Sequence, residues 1–129
     1  MKNSIRTASR GLLLILTAGL SGCLVAAAAG AGGAIVLSGH TAEAIVDRPV
    51  ADMASVAEQV MQDDGVSITD TRSQDSGEKR IFEGEKGDLD VTVTIQRTDD
   101  GTKLGVEAQR NAASWDDDYA RALLAKIIR

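Results

Sequence analysis

The sequence predicts an α+β fold of order β-α-β-β-β-β-α, an antiparallel sheet with two helices on one face. Three observations lead there. Residues 50–63 and 114–128 repeat apolar side chains at three- and four-residue spacing, the period of an amphipathic helix. Residues 89–97 alternate Leu89, Val91, Val93 and Ile95 with Asp90, Thr92, Thr94 and Gln96, which marks a strand with one buried and one solvated face. Between periodic segments stand Asp64-Gly65, Gly87-Asp88 and Asp100-Gly101, the turn chemistry of antiparallel neighbours.

Each element has its own local cause. Residues 41–47 form a short strand, which Arg48-Pro49 stops; Pro suits the first turn of a helix. The helix over 50–63 buries Val50, Met53, Ala54, Ala57, Val60 and Met61, with Asp52 near its positive end. Gly65 takes the left-handed position that ends it. Strands follow over residues 66–71, 78–85, 89–97 and 103–110, the last with Leu104, Val106 and Ala108 inward. Residues 73–77 and Asp99-Asp100-Gly101 are turns. The closing helix spans 114–128, with Ser114 as its cap and Asp117 in a shortened capping box. Its stripe is Trp115, Tyr119, Ala122, Leu123, Lys126 and Ile127, and Phe82, Trp115 and Tyr119 all pack at the helix–sheet seam.

Composition bounds the chemistry. The 129 residues hold 19 acidic and 14 basic side chains, one Cys, one His and three aromatics. An acidic chain with so few stacking rings excludes a nucleic-acid partner. One Cys excludes an internal disulfide. No cofactor or metal set is legible.

The N-terminus differs sharply from the rest. Lys2, Arg6 and Arg10 precede the uncharged, Leu-rich run 11–20, a basic head and apolar core in secretory order. The run ends in Leu20, Ser21, Gly22 and Cys23. This resembles the lipobox of bacterial lipoproteins. The resemblance implies cleavage before Cys23, with Cys23 carrying the lipid. The expected domains are a signal peptide over 1–22, a lipidated Ala/Gly-rich apolar tether over 23–40, and a periplasmic body over 41–129. An alternative is an uncleaved anchor, since the 29 residues from Gly11 to Gly39 carry no charge and about 20 apolar residues span a bilayer. Leu24 and Val25 after the Cys, in place of Asp, imply the periplasmic face of the outer membrane, with the inner membrane as the alternative.

The lipobox, the AAAAGAGGA run, a helix ending at Gly65, the strand around 91–95 and a closing helix at 122–128 together resemble a family of short Gram-negative lipoproteins with a small α+β domain of unknown function. That family has a Gly near the start of its last helix; Ser114-Trp115-Asp116 stands there in this chain. The strand–helix order also resembles the helix-grip domains of the lipoprotein C subunit of the outer-membrane β-barrel assembly machine, a topological likeness that implies no shared role.

No catalytic constellation is visible. His40 is read as a solvent-exposed linker residue. Asp116, Asp117 and Asp118 point in different directions on a helix and favour its N-terminus rather than a cation. Asp99-Asp100-Gly101 lacks the spaced ligands of a calcium loop. Thr92, Thr94 and Gln96, on the solvated sheet face, are the candidates for a partner surface. The functional expectation is a non-enzymatic lipoprotein, held to the membrane by its lipid, binding an envelope protein or lipid or serving structurally. The alternatives are a small enzyme using carboxylates in a groove, and a protein whose active part is the Ala/Gly segment.

Overall fold

The computed structural model describes residues 33–129. The expected signal peptide and Leu20, Ser21, Gly22 and Cys23 lie outside the described residues. The elements are β1 (Val36–Ser38), β2 (Thr41–Val46), α1 (Val50–Asp63), β3 (Ser67–Gln74), a single 3-10 turn (Asp75–Gly77), β4 (Lys79–Lys86), β5 (Leu89–Thr98), β6 (Gly101–Asn111), β7 (Ser114–Trp115) and α2 (Asp117–Ile127). The strands form one antiparallel sheet in the order β1-β2-β6-β5-β4-β3, with β7 pairing β6. Both helices pack into the core over one face, α1 across β3, β4 and β5, and α2 across β2 and β6. The expected α+β class is the observed one.

Register carries the alternation into the core. Val91 faces Ala108, Val93 faces Val106 and Ile95 faces Leu104 across β5 and β6, while β2 adds Ala42 and Ala44 opposite Val106 and Leu104. These residues are at most 2% exposed. Small Ala side chains on β2, and Ala54 and Ala57 on α1, let helices and sheet approach closely. Met53, Met61, Leu123, Leu124 and Ile127 fill the layer between them.

The ends of α1 are set locally. Pro49 is its N-cap, one place ahead of the first turn, and its carbonyl accepts from the Met53 amide at 3.1 Å. Gly65 has φ +83°, and the Gly65 and Val66 amides donate to the Gln62 and Met61 carbonyls. That is the paired hydrogen bonding of a glycine-ended helix. The buried Thr102 hydroxyl donates to the Arg48 carbonyl at 2.5 Å and pins the β2–α1 connection to β6.

Several expectations need correction. Residues 36–38, assigned from sequence to the tether, pair with β2 as β1. Their apolar, Gly-flanked composition conceals a strand that forms only because β2 offers an edge. The third strand runs on to Gln74 rather than ending at Thr71, because β4 pairs with it along that length. Glycine falls one place later in the β5–β6 hairpin than the turn chemistry implies: Asp99 and Asp100 form the loop, and Gly101 pairs Thr98 at φ +132°. The last helix starts at Asp117 with Asp116 as its cap, the carboxylate accepting from the Tyr119 amide at 2.9 Å. Ser114 and Trp115 are drawn into β7 instead. This later start leaves Ala122 and Lys126 exposed, and Ala120, Leu123, Leu124, Ile127 and Ile128 form the buried stripe.

Of the three aromatics, Phe82 is buried and Tyr119 packs at the core margin. Trp115 instead stacks on His40, ring centroids 4.9 Å apart and planes 2° from parallel. His40 sits in the β1–β2 turn, where its Nδ1 lies 3.0 Å from Asp117 Oδ1. It is a clasp between that turn and the start of α2, not a linker residue. His40→Ala should cost about 0.5–1 kcal/mol and change the emission of Trp115, the sole Trp. Urea unfolding followed by that emission measures both.

Candidate binding site on the open sheet face

The face of the sheet opposite the helices is mostly polar, with Val36 and Ile45 exposed toward its β1–β2 edge, and its register sets the side chains in rows. One row runs Ile45, Lys103, Gln96, Lys79, Gln74 across β2, β6, β5, β4 and β3. The next runs Val36, Glu43, Gly105, Thr94, Ile81, Arg72. A third carries Glu107, Thr92, Glu83 and Asp70. Thr92, Thr94 and Gln96, the surface proposed from sequence, therefore stand together at the middle of this face.

Gly105 makes that middle concave. A groove of about 290 Å³ lies over it, lined by Thr41 and Glu43 of β2, Thr92, Thr94 and Gln96 of β5, and Lys103, Gly105 and Glu107 of β6. The Lys103 ammonium lies 3.1 Å from Glu43 Oε1. The Thr41 hydroxyl donates to Glu107 Oε1, and Glu107 has no cationic partner among the described residues.

Comparison of the strand glycines shows what is unusual here. A Cβ on Gly84 would lie 2.7 Å from Val66 Cγ1 and 2.8 Å from the Ser67 carbonyl. One on Gly101 would lie 2.7 Å from the Val46 carbonyl, at a φ that side chains avoid. Packing thus demands glycine at both places. At Gly105, φ is not positive and the nearest neighbour of a Cβ is the Thr41 methyl at 3.2 Å. A methyl giving way by a few tenths of an ångström would admit alanine. Glycine inside a strand weakens it and often marks a place where another molecule approaches the backbone. Sequence reasoning passed over Gly105, although a glycine between outward Lys103 and Glu107 was a readable interruption of the polar face.

The other candidates resolve into structure. Asp116 caps α2 and pairs Arg110 at 3.0 Å, Asp117 meets His40, and Asp118 lies 3.5 Å from Arg121. The triplet diverges, as its spacing implies. Asp99 and Asp100 border a second depression of about 360 Å³ with Arg48, Pro49 and Arg97. Among the described residues, no group of three or more His, Cys, Asp or Glu side chains could hold a metal ion.

A cluster that sequence did not reveal is centred on Asp64, read there only as the end of a helix. Its carboxylate accepts from Tyr119 Oη at 2.6 Å, from Lys86 Nζ at 3.1 Å and from Lys126 Nζ. The side chain is 11% exposed. Burial alone would raise its pKa, but the hydrogen bonds from Lys126, Tyr119 and Lys86 outweigh that and hold it at about 2. Burial, reinforced by the Asp64 charge, pushes the Tyr119 hydroxyl above its ordinary range. Lys86 also lies 5.1 Å above the Tyr119 ring. The cluster ties α1, β4 and α2 together.

Among the described residues, no helix is long and apolar enough to cross a membrane. No protein-family model matches the chain, and no curated protein matches it in sequence.

Proposed function

We propose that the protein is a lipid-anchored bacterial envelope protein whose body is a non-enzymatic binding module, working through the groove over Gly105. The observation that carries the binding role is Gly105 itself: a glycine in a central strand whose backbone angle does not demand one and whose Cβ would press only on a side-chain methyl, at the floor of a groove lined by threonines, Gln96 and three charged side chains. The strongest electrostatic cluster supports a binding rather than a catalytic body. Asp64 is engaged by two ammonium groups and a hydroxyl, an arrangement that spends the carboxylate on holding the fold.

The anchor rests on Leu20, Ser21, Gly22 and Cys23 behind a basic, apolar leader. A triacylated Cys23 at the periplasmic face of the outer membrane is a stable tether, since two or more acyl chains hold where one does not. Removal of residues 1–22 leaves 11 basic against 19 acidic side chains, a balance of −8. Such a body is repelled by anionic lipid and stands off the surface, which leaves the groove open.

Cys23→Ala is expected to abolish incorporation of a fatty-acid analogue and to release the protein from the outer-membrane fraction. Labelling and fractionation of the variant check this; a variant still labelled and outer-membrane-bound would refute the anchor. The binding role is checked separately by a photo-crosslinking residue at Thr94 in intact cells. Adducts are expected from Thr94 and not from Thr71, which lies on edge strand β3 away from the groove. Equal capture from both positions defeats the binding role.

A further inference from the structure

The groove carries its charges in a directed way. Lys103, Gly105 and Glu107 follow one another on the open face of β6, so a cation stands at one end, bare backbone in the middle and a carboxylate at the other. Alternate residues of one strand put about 13 Å between the α-carbons of Lys103 and Glu107. The walls are Thr92, Thr94 and Gln96 on one side and Thr41 on the other, a set of hydroxyl and amide groups that both donate and accept.

The ends differ in how they are held. Glu43 keeps the Lys103 ammonium beside the groove at 3.1 Å. Glu107 is oriented by the Thr41 hydroxyl, with no basic side chain among the described residues to neutralise it. An incoming ammonium would therefore find a positioned carboxylate, while an incoming carboxylate would have to compete with Glu43 for the Lys103 ammonium.

We propose that this groove binds a short zwitterionic peptide of two or three small residues, its ammonium at Glu107, its carboxylate at Lys103 and its backbone lying over Gly105. An extended tripeptide spans about 10 Å, which fits between the two side chains once each leans inward. Its amides meet Thr92, Thr94, Gln96 and Thr41. Small side chains are required because the groove offers only about 290 Å³. The groove contains no aromatic wall, so charge and hydrogen bonds orient the ligand while threonine methyls and aliphatic stems line it. This inference rests on the binding reading of the same face, and names its ligand.

The test uses the mature lipidated protein in detergent micelles, with backbone amide shifts of Thr92, Thr94 and Gly105 as the readout. The probes are Ala-Ala-Ala, its N-acetyl form and its C-terminal amide. The free tripeptide is expected to shift those amides in a saturable way, and each blocked form to bind about tenfold more weakly or worse. Gly105→Val should remove the shifts at Thr92 and Thr94, its folded state checked by the dispersion of the remaining amide signals. If that variant does not fold, two others carry the test. Lys103→Gln should erase the preference for the free acid over the amide, and Glu107→Gln the preference for the free amine over the acetyl form.

No saturable shift with Ala-Ala-Ala up to about 10 mM overturns the ligand assignment. Equal binding of free and blocked forms overturns the zwitterionic chemistry, and so does selectivity for one end only. In these cases Thr94 capture in cells still reports on whether the face binds anything, so the two failures are separable.

Discussion

Asp64→Ala is expected to destabilise the body by about 2–3 kcal/mol, because one substitution strips the acceptor from Tyr119, Lys86 and Lys126 together. Both lysines are more than a third exposed, so solvent screens their share. The larger share comes from the half-buried Tyr119 hydroxyl, left without its partner. For a domain of this size the loss corresponds to a thermal midpoint lowered by about 10–20 °C. Calorimetry of the variant beside the parent measures it. A midpoint within about 2 °C of the parent would show that the cluster contributes nothing net.

The same residue sets an acid limit. The Asp64 carboxyl is held at about 2 in the folded protein, below its ordinary value of 3.8. A depressed folded pKa contributes stability that is fully present above the unfolded value and is lost as pH falls through the folded one. Asp64 therefore stabilises fully above about pH 4, and its contribution disappears between pH 4 and pH 2. After allowance for screening it amounts to about 1–2 kcal/mol. Asp64→Asn should flatten the stability profile in that window. An unchanged slope would assign acid sensitivity to other carboxylates.

Gly84→Val is expected to cost about 2–3 kcal/mol, the scale of overpacking against groups that cannot move. Its Cβ would meet Val66 Cγ1 at 2.7 Å and the Ser67 carbonyl at 2.8 Å, beside the register shift between Ile68 and Asp70 of β3. Gly105→Val, on central strand β6, should stay within about 1 kcal/mol of the parent, because a β-branched residue suits a strand and its Cβ meets only the Thr41 methyl, at 3.2 Å. Urea midpoints of the two variants side by side test the distinction. Equal losses would remove the argument that Gly105 is free of structural demand.

Much of the body was legible from periodicity. The helix at Val50–Asp63 and the strand alternation around Val93 follow from single-element patterns, and the glycine end at Gly65 from one residue's backbone freedom. Thr92, Thr94 and Gln96 were legible as one polar face for the same reason. Legibility failed wherever a residue's state depends on a partner far along the chain. Residues 36–38 look like tether until β2 is beside them. Trp115 looks like helix core until His40, distant in sequence, stacks on it. Asp64 ends a helix in sequence and becomes a junction when Lys86 and Lys126 arrive.

The groove shows the division most clearly. Alternation by itself determined that Lys103, Gly105 and Glu107 share a face with one another, because side chains on a strand repeat every two residues. Only the tertiary structure decided that Thr41 and Glu43 come from one neighbour and Thr92, Thr94 and Gln96 from the other. Local patterns are fixed by backbone geometry within a few residues. A site made from three strands depends on register, and register is settled by which apolar sets meet in the core, here Val93 and Ile95 against Val106 and Leu104.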